Sequence, residues 1–293
     1  MASLKEIRTR ISSVISTRQI TSAMKMVSAA KLRKAQDAIL LMRPYASELQ
    51  EIQWKLSGNG SEDDNEFAAR KEIKSILMIA VSSNKGLCGA FNANVAKKVI
   101  QLMEEDYKDE NASGQVDVIC IGKKASEILR SKKVKVTSDH HELFEKISFD
   151  KIAQLADKVI DEYRTGKYDS VSIVYNQFKN AGVQELTVDP FLPIISKPTE
   201  LSSIGTKTDY ILEPSREYII KVLIPKLLRI QLFKAMLDSN ASEHGARMTA
   251  MHKATDNATE IIKQLNLDYN KARQASITNE ILEIVAGAEA QNG

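Results

Sequence analysis

The chain has 293 residues, 43% hydrophobic and 27% charged, which is enough for a packed core in one large domain or two small ones. Its 41 basic and 38 acidic residues nearly cancel to a net +3, which argues against a general polyanion binder. The two cysteines, Cys88 and Cys120, supply no disulfide framework and read as buried structural thiols of a reducing compartment.

The first predicted element is a long helix. From Leu4 the apolar positions Leu4, Ile7, Ile11 and Val14 step by three and four, and the pattern resumes at Leu32, Ala35, Ile39, Met42, Ala46 and Leu49. Between these stretches the continued stripe falls on Arg18, Thr21, Lys25 and Ser28, while Ile20, Met24 and Val27 carry the apolar character, a shift round the helix that either a partner contacting that side or a local change of coiled-coil register accounts for. Pro44 deletes one helical hydrogen bond, so a bend is expected near Met42 unless the helix ends there. The segment Met1–Arg43 holds nine Lys or Arg against Glu6 and Asp37 alone. Such a start resembles a mitochondrial transit peptide in composition, but it runs without a break into the helical pattern, which speaks against that reading.

Gly, Ser, Asn and acidic residues at 57–66 then mark a solvated linker, placed at 58–72 after a first domain of 1–57. A central α/β domain is expected over 73–210. It opens on the apolar run IKSILMIAVSS (73–83), of the kind buried on both faces in a parallel sheet. A helix from about Asn92 to Tyr107, a strand VDVICIG (116–122), a helix over Lys124–Arg130 and an amphipathic helix over 149–166 follow. This alternation predicts a doubly wound, Rossmann-like sheet. The runs 168–178 and 183–193, joined through Asn180, Ala181 and Gly182, predict a hairpin at the sheet edge, closed by Pro190 and Pro193.

The last domain, 211–293, is a second long helix starting after Pro214 and reaching about Ala286, with Pro225 posing the same difficulty as Pro44. Met248, Met251, Thr255, Ala258, Ile262, Leu265, Tyr269 and Ala272 alternate steps of three and four without a miss, the seam of a coiled coil. Two such stripes at the two ends of one chain satisfy each other if the arms lie antiparallel. The second arm would be roughly 108 Å long, more than a domain of this size can bury. Most of its outer surface must then be solvated or held in a partner.

No local motif announces chemistry. SSNKGLCGAFN (82–92) places Gly86 and Gly89 at a strand-to-helix turn, where α/β folds bind phosphate, but it is neither a G-x-G-x-x-G nor a G-x-x-x-x-G-K-[ST] sequence, and tight turns need glycine without any ligand. His140 and His141 are adjacent, and His244 and His252 lie eight residues apart with no third ligand between them, so neither pair forms a zinc pattern. No Ser, His and acid arrangement or strand-end carboxylate pair marks a catalytic centre, and no cofactor is expected. The basic first arm fits a nucleic acid or an acidic protein surface, and no aromatic interleaves with its charges before Tyr45.

Together these features resemble the gamma subunit of F-type ATP synthases over the whole chain. ITSAMKMVSAAKLRKAQ (20–36) is similar to that family's N-terminal helix, and SSNKGLCGAFN to its first strand and turn. ASEHGARMTAMHKATDNA (241–258) and RQASITNEILEIVAGAEA (273–290) are similar to its C-terminal helix, with Ile277, Thr278, Glu280, Glu283, Gly287 and Ala288 at the family's spacing. The resemblance implies a non-catalytic rotor shaft turning inside a ring of alpha and beta subunits, its foot on the membrane c-ring beside an epsilon subunit. It implies ring contacts at Met24, Lys25, Arg33, Lys34, Arg273, Gln274, Thr278 and Glu280, and c-ring contacts at Tyr210 and Glu213. It also implies a peripheral position on the cytoplasmic face of a bacterial inner membrane, although a processed organellar chain would read alike. Residues 183–214 contain no Cys, so the thiol switch of chloroplast relatives is not expected. The competing expectations are a coiled-coil nucleic-acid binder and a nucleotide-binding enzyme.

Overall fold

The computed structural model describes residues 4–57, 66–67, 73–194, 213 and 216–292. They form α1 (Leu4–Ser57), β1 (Ile76–Val81), α2 (Phe91–Glu105), α3 (Lys108–Ala112), β2 (Val116–Ile121), α4 (Lys123–Ser131), β3 (Val136–Asp139), α5 (Glu142–Glu145), α6 (Phe149–Arg164), β4 (Ser170–Phe178), β5 (Gln184–Leu192) and α7 (Arg216–Asn292). The chain divides into two compact units, Met1–Ala29 with Arg247–Gly293, and Ala30–Ala246.

In the larger unit the strands are ordered β3-β2-β1-β4-β5, parallel except for the last, which pairs antiparallel with β4 as the predicted edge hairpin. Because side chains alternate along a strand, β1 feeds both faces. Leu77, Ile79 and Val81 pack with Ile152, Leu155, Val159 and Ile160 of α6 and with Ile224, Leu228, Leu232 and Met236 of α7. Ile76, Met78 and Ala80 pack with Val95, Val99 and Leu102 of α2 and Leu129 of α4. Helices therefore cover both faces, as a doubly wound sheet requires.

The strand β3 was not legible in the sequence. Its four residues, Val136–Asp139, carry one apolar side chain and are half-buried or exposed at the edge, so neither alternation nor a continuous apolar run marks them. Pro190 does not close the hairpin but sits within β5, where the edge position leaves its missing N–H without consequence for a central ladder.

Both prolines that threatened the long helices are carried inside them, Pro44 in α1 and Pro225 in α7. Around Pro44 the helix is held by its neighbours: Leu49 packs with Leu227 and Ile230 of α7, joined by Met42, Ala46 and Leu223. Pro44 itself faces solvent, where water can take the carbonyl that its missing N–H leaves free. Contacts run antiparallel here, since Arg43 meets Asp238 while Leu49, farther along α1, meets the earlier Leu227.

The remaining packing in this unit is close. Gly245 on α7 lies against the hairpin turn, where an added Cβ would stand 3.0 Å from the Ala181 carbonyl oxygen. Ser242 donates a hydrogen bond to the Asn176 carbonyl on β4, and Arg229 Nε lies 2.6 Å from Asp157 Oδ1 on α6. Gly122, between β2 and α4, has φ of 109° and no room for a Cβ, which would fall 2.1 Å from the Ser82 carbonyl oxygen. Gly122→Ala is therefore expected to cost at least about 1 kcal/mol, through both the left-handed backbone and the clash. Urea unfolding of the full chain checks this, and an unchanged midpoint would contradict it.

Candidate functional site

Among the described residues of the smaller unit, the cover for each helix's apolar stripe is the other helix. On α7 every predicted seam residue is sheltered: Met251, Ala258 and Leu265 are buried and Met248, Thr255, Ile262, Tyr269 and Ala272 half-buried. On α1 Leu4, Ile7, Ile11 and Val14 are half-buried. Of the two accounts of the shifted stripe, the local change of register after Val14 is not found: the seam keeps its phase and the apolar side chains face away from it. Thr21 and Ser28 are buried and Arg18 and Lys25 half-buried, whereas Ile20 and Val27 are 60% and 57% exposed. The phase of a helix is continuous, so the regular three-four step carries these polar residues into the seam whatever their hydropathy. Sequence reasoning followed the apolar residues, although the unbroken spacing from Val14 to Leu32 held the answer.

A polar seam must satisfy its own groups. Thr255 Oγ1 lies 2.8 Å from Thr21 Oγ1 across the pair, its single proton shared between that oxygen and the Met251 carbonyl at 2.7 Å, and the Thr21 hydroxyl reaches the Arg18 carbonyl at 3.0 Å. Nearer the N-terminus, the exposed hydroxyls of Thr9, Ser13, Ser16 and Thr17 each donate to the carbonyl four residues earlier on α1.

The residues singled out as partner contacts occupy different surroundings. In the smaller unit Met24 and Lys25 are half-buried, and Arg273, Gln274, Thr278 and Glu280 are exposed on α7. Thr278 Oγ1 bonds back to the Gln274 carbonyl, and Glu280 accepts from Ser276. Beyond them the tip is uncovered: Ile277, Ile281, Leu282, Ile284 and Val285 are each about half exposed or more. In the larger unit Arg33 and Lys34 are exposed, while Leu32, Ala35 and Ile39 on the other side of α1 are buried. Glu213 is exposed, and Tyr210 lies outside the described residues. Sequence reasoning missed the bare apolar side chains Leu40 and Leu41, 65% and 83% exposed, because they adjoin the stripe at Ile39 and Met42.

The crevice at the C-terminal ends of the strands is where a fold of this order binds ligands. Beside it, the amides that open α4 behind β2 are committed to the chain itself. At the start of α4 the Lys123 amide donates to Asn84 Oδ1, the Lys124 amide to the Ser83 carbonyl, and the Ala125 amide to Ser82 Oγ. Asn92 Oδ1 accepts from both the amide and the hydroxyl of Ser83. A phosphate would have to displace these bonds. Gly86 and Gly89 belong to this self-bonded loop. Cys88 is buried with its sulfur accepting from Asn92 Nδ2, and burial pushes the buried Cys120 thiol up to about 12. His140 pairs with Glu142 at 3.3 Å, His252 with Asp256 at 3.2 Å, and among the described residues no group of three His, Cys, Asp or Glu is arranged to hold a metal ion.

The profile of the ATP synthase family matches residues 3–291. The ATP synthase gamma chain of Flavobacterium johnsoniae is 54% identical over 294 residues, and that of Flavobacterium psychrophilum 55% identical over 295, each alignment covering 100% of both chains. The chain belongs to the ATP synthase gamma-chain family. Among solved structures it is similar to a chain of the Tetrahymena thermophila mitochondrial ATP synthase central stalk and c-ring, at TM-score 0.61 and 26% identity, covering 80% of this chain and 99% of that one. A chain of the Euglena gracilis mitochondrial ATP synthase rotor shares the fold at TM-score 0.67 and 20% identity, covering 94% and 98%.

Gamma-chain membership turns attention from the crevice to the helical pair, whose register rests partly on the threonine bridge. Thr255→Val keeps the volume and removes the hydroxyl, so it is expected to cost about 0.5–1.5 kcal/mol of stability. Thr17→Val, which removes only an exposed bond within α1, should change stability far less. Equal effects of the two substitutions in thermal unfolding would show that the bridge contributes nothing.

Proposed function

We propose that this chain is the central rotor shaft of an F-type ATP synthase, a non-catalytic subunit that couples proton or sodium flow through a membrane rotor to ATP synthesis or hydrolysis in an alpha/beta ring. The observation that carries this reading is a gamma-chain sequence folded as a helical pair that buries its own seam and leaves apolar side chains such as Ile20, Val27 and the tip bare. A soluble monomer has little reason to present such a series. A sleeve of partner subunits gives it one.

The mechanism follows from asymmetry. A single rod inside a ring of repeated subunits presents a different face to each, and so biases each toward a different conformation. A swing of one catalytic subunit from 1:99 to 99:1 between two states needs about 5.5 kcal/mol of differential contact energy. A few well-desolvated side chains meeting one ring subunit and missing the next supply energies of that order. Rotation then passes the bias from site to site, and the shaft itself forms no bond.

Met24, Lys25, Arg33 and Lys34 on the basic first arm, and Arg273, Gln274, Thr278 and Glu280 near the tip, are the residues we assign to the ring. Their exposure and the charge excess on α1 support that assignment for all but Met24 and Lys25, which are reached only in part. Tyr210 and Glu213 are assigned to the c-ring on family likeness, with an epsilon subunit beside the central domain. Among the described residues no helix is long and apolar enough to cross a membrane. The complex is accordingly read as holding the chain peripherally, at the cytoplasmic face of a bacterial inner membrane.

The test is reconstitution of ATP hydrolysis with alpha and beta subunits from the same organism, with a bead fixed to the central domain. Unidirectional, ATP-dependent rotation is expected, and failure to join a competent ring would overturn the reading. Ile277–Ala288 are exposed throughout, so deleting the chain from Ile277 onward should leave the unfolding of the larger unit unchanged while weakening coupling or assembly. Loss of fold in step with function would argue against a tip that acts through partners. Arg33→Glu with Lys34→Glu should impair assembly with the ring in a salt-sensitive way. Normal assembly and torque in that variant would remove the electrostatic role.

A further inference from the structure

Asp238, in the larger unit, is a buried carboxyl with little compensation among the described residues. It lies on α7 with no exposed surface, and neither carboxylate oxygen has a hydrogen-bond partner. Its one ion pair is with Arg43 of α1, whose Nη2 is 3.5 Å from Oδ1, too long and loose to count as a good hydrogen bond. That same nitrogen donates instead to the Phe178 carbonyl on β4, at 2.9 Å. The pair is also unequal, since the Arg43 side chain is 45% exposed and the Asp238 side chain 1%. Arg43 can swing into water at little cost, whereas Asp238 cannot leave while α1, α7 and the hairpin are closed over it.

The other charged or titratable groups that bear on Asp238 come from each element around it. Lys234 lies one turn earlier on α7, Asp189 on β5, and Tyr175 on β4, whose hydroxyl donates to Asp189 Oδ2 at 2.8 Å. The two cations favour a charged Asp238, while Asp189 opposes it. A carboxylate this deep without hydrogen bonds is neutralised most cheaply either by a close cation or by a proton.

We propose that Asp238 is a buried proton site whose occupancy is linked to the docking of α1: closure of α1 and the hairpin over α7 takes up a proton, for which Arg43 is the competitor. No local acid-base motif encodes this site, because its parts lie on α1, β4, β5 and α7. Burial holds the carboxyl above its ordinary value of 3.8, and Arg43 and Lys234 only partly offset this. The sign follows from linkage: a carboxyl whose pKa is higher in the closed state favours closure below the open-state value. That contribution is lost as pH rises through the closed-state value.

The experiment is hydrogen exchange of the full-length chain from the ordinary carboxyl value of 3.8 up to about pH 8, corrected for intrinsic rates, read at the α1 amides of residues 40–48. In the wild type, protection of this segment should fall as pH rises, by up to about tenfold for each pKa unit separating the closed and open states. Asp238→Asn, a neutral isostere, should flatten the profile. Arg43→Met removes the competitor and should carry the fall to higher pH, whereas Arg43→Lys should restore the wild-type profile. If Arg43→Met fails to fold, the comparison of wild type, Asp238→Asn and Arg43→Lys still decides. An Asp238→Asn profile that keeps the wild-type slope, or an Arg43→Met profile that does not move, would overturn the proposal.

Discussion

A lone helix of fifty residues or more has no means of hiding an apolar stripe, and the strongest constraint on this chain is that each terminal helix needs another surface along its seam. Among the described residues of the smaller unit that surface is the opposite helix. The strict three-four spacing follows, because a seam between two helices tolerates no drift in phase over many turns. So does the tolerance of Thr21, Lys25 and Ser28 at seam positions, where keeping phase outweighs local hydropathy. Polar residues there weaken the pair but mark its register, since Thr21 and Thr255 bond only in one alignment.

In the larger unit the same helices acquire a sheet to lie on, and the packing changes character. Stripe contacts such as Leu49 with Leu227 and Ile230 give way to bonds with the hairpin: Ser242 to the Asn176 carbonyl, Arg43 to the Phe178 carbonyl, and Gly245 pressed against Ala181. Charge enters the interior where three kinds of element meet, at Asp238. The sheet itself has the strand order of ligand-binding folds, and the amides that open α4 are bonded to Ser82, Ser83 and Asn84. Fold and activity are separable, and these bonds tie the loop after β1 to α4.

Much of this was legible in the residues. The seam from Met248 to Ala272, the strands over 76–81 and 116–121, the hairpin and the helix from Phe149 were readable because each has a strong period or a continuous apolar run. What failed did so for physical reasons. β3 is short and carries little hydrophobic signal, and Ile20 and Val27 form a second, exposed apolar side of α1 that spacing alone does not distinguish from a change of register. Pro44 and Pro225 raised a local cost that tertiary contacts override. The Arg43 and Asp238 pair was invisible, since a contact across nearly two hundred residues leaves no trace in spacing. The partner-facing residues were recognised through family likeness, and periodicity alone would not have separated Arg273 and Glu280 from any other solvated turn.

The hydroxyls of Thr9, Ser13, Ser16 and Thr17 carry a last implication. A hydroxyl has one proton to give, and each of these has already given it to a carbonyl of its own helix. To anything that slides past, this stretch of α1 offers oxygen lone pairs and methyl groups but few free hydroxyl protons. A neighbour can grip these hydroxyls only with donors of its own, or by first breaking a bond that the helix already holds, while the cationic donors of the stretch come from the exposed Arg8 and Arg10 beside them. What holds a neighbour to this stretch is then charge, from Arg8 and Arg10, rather than the hydroxyls.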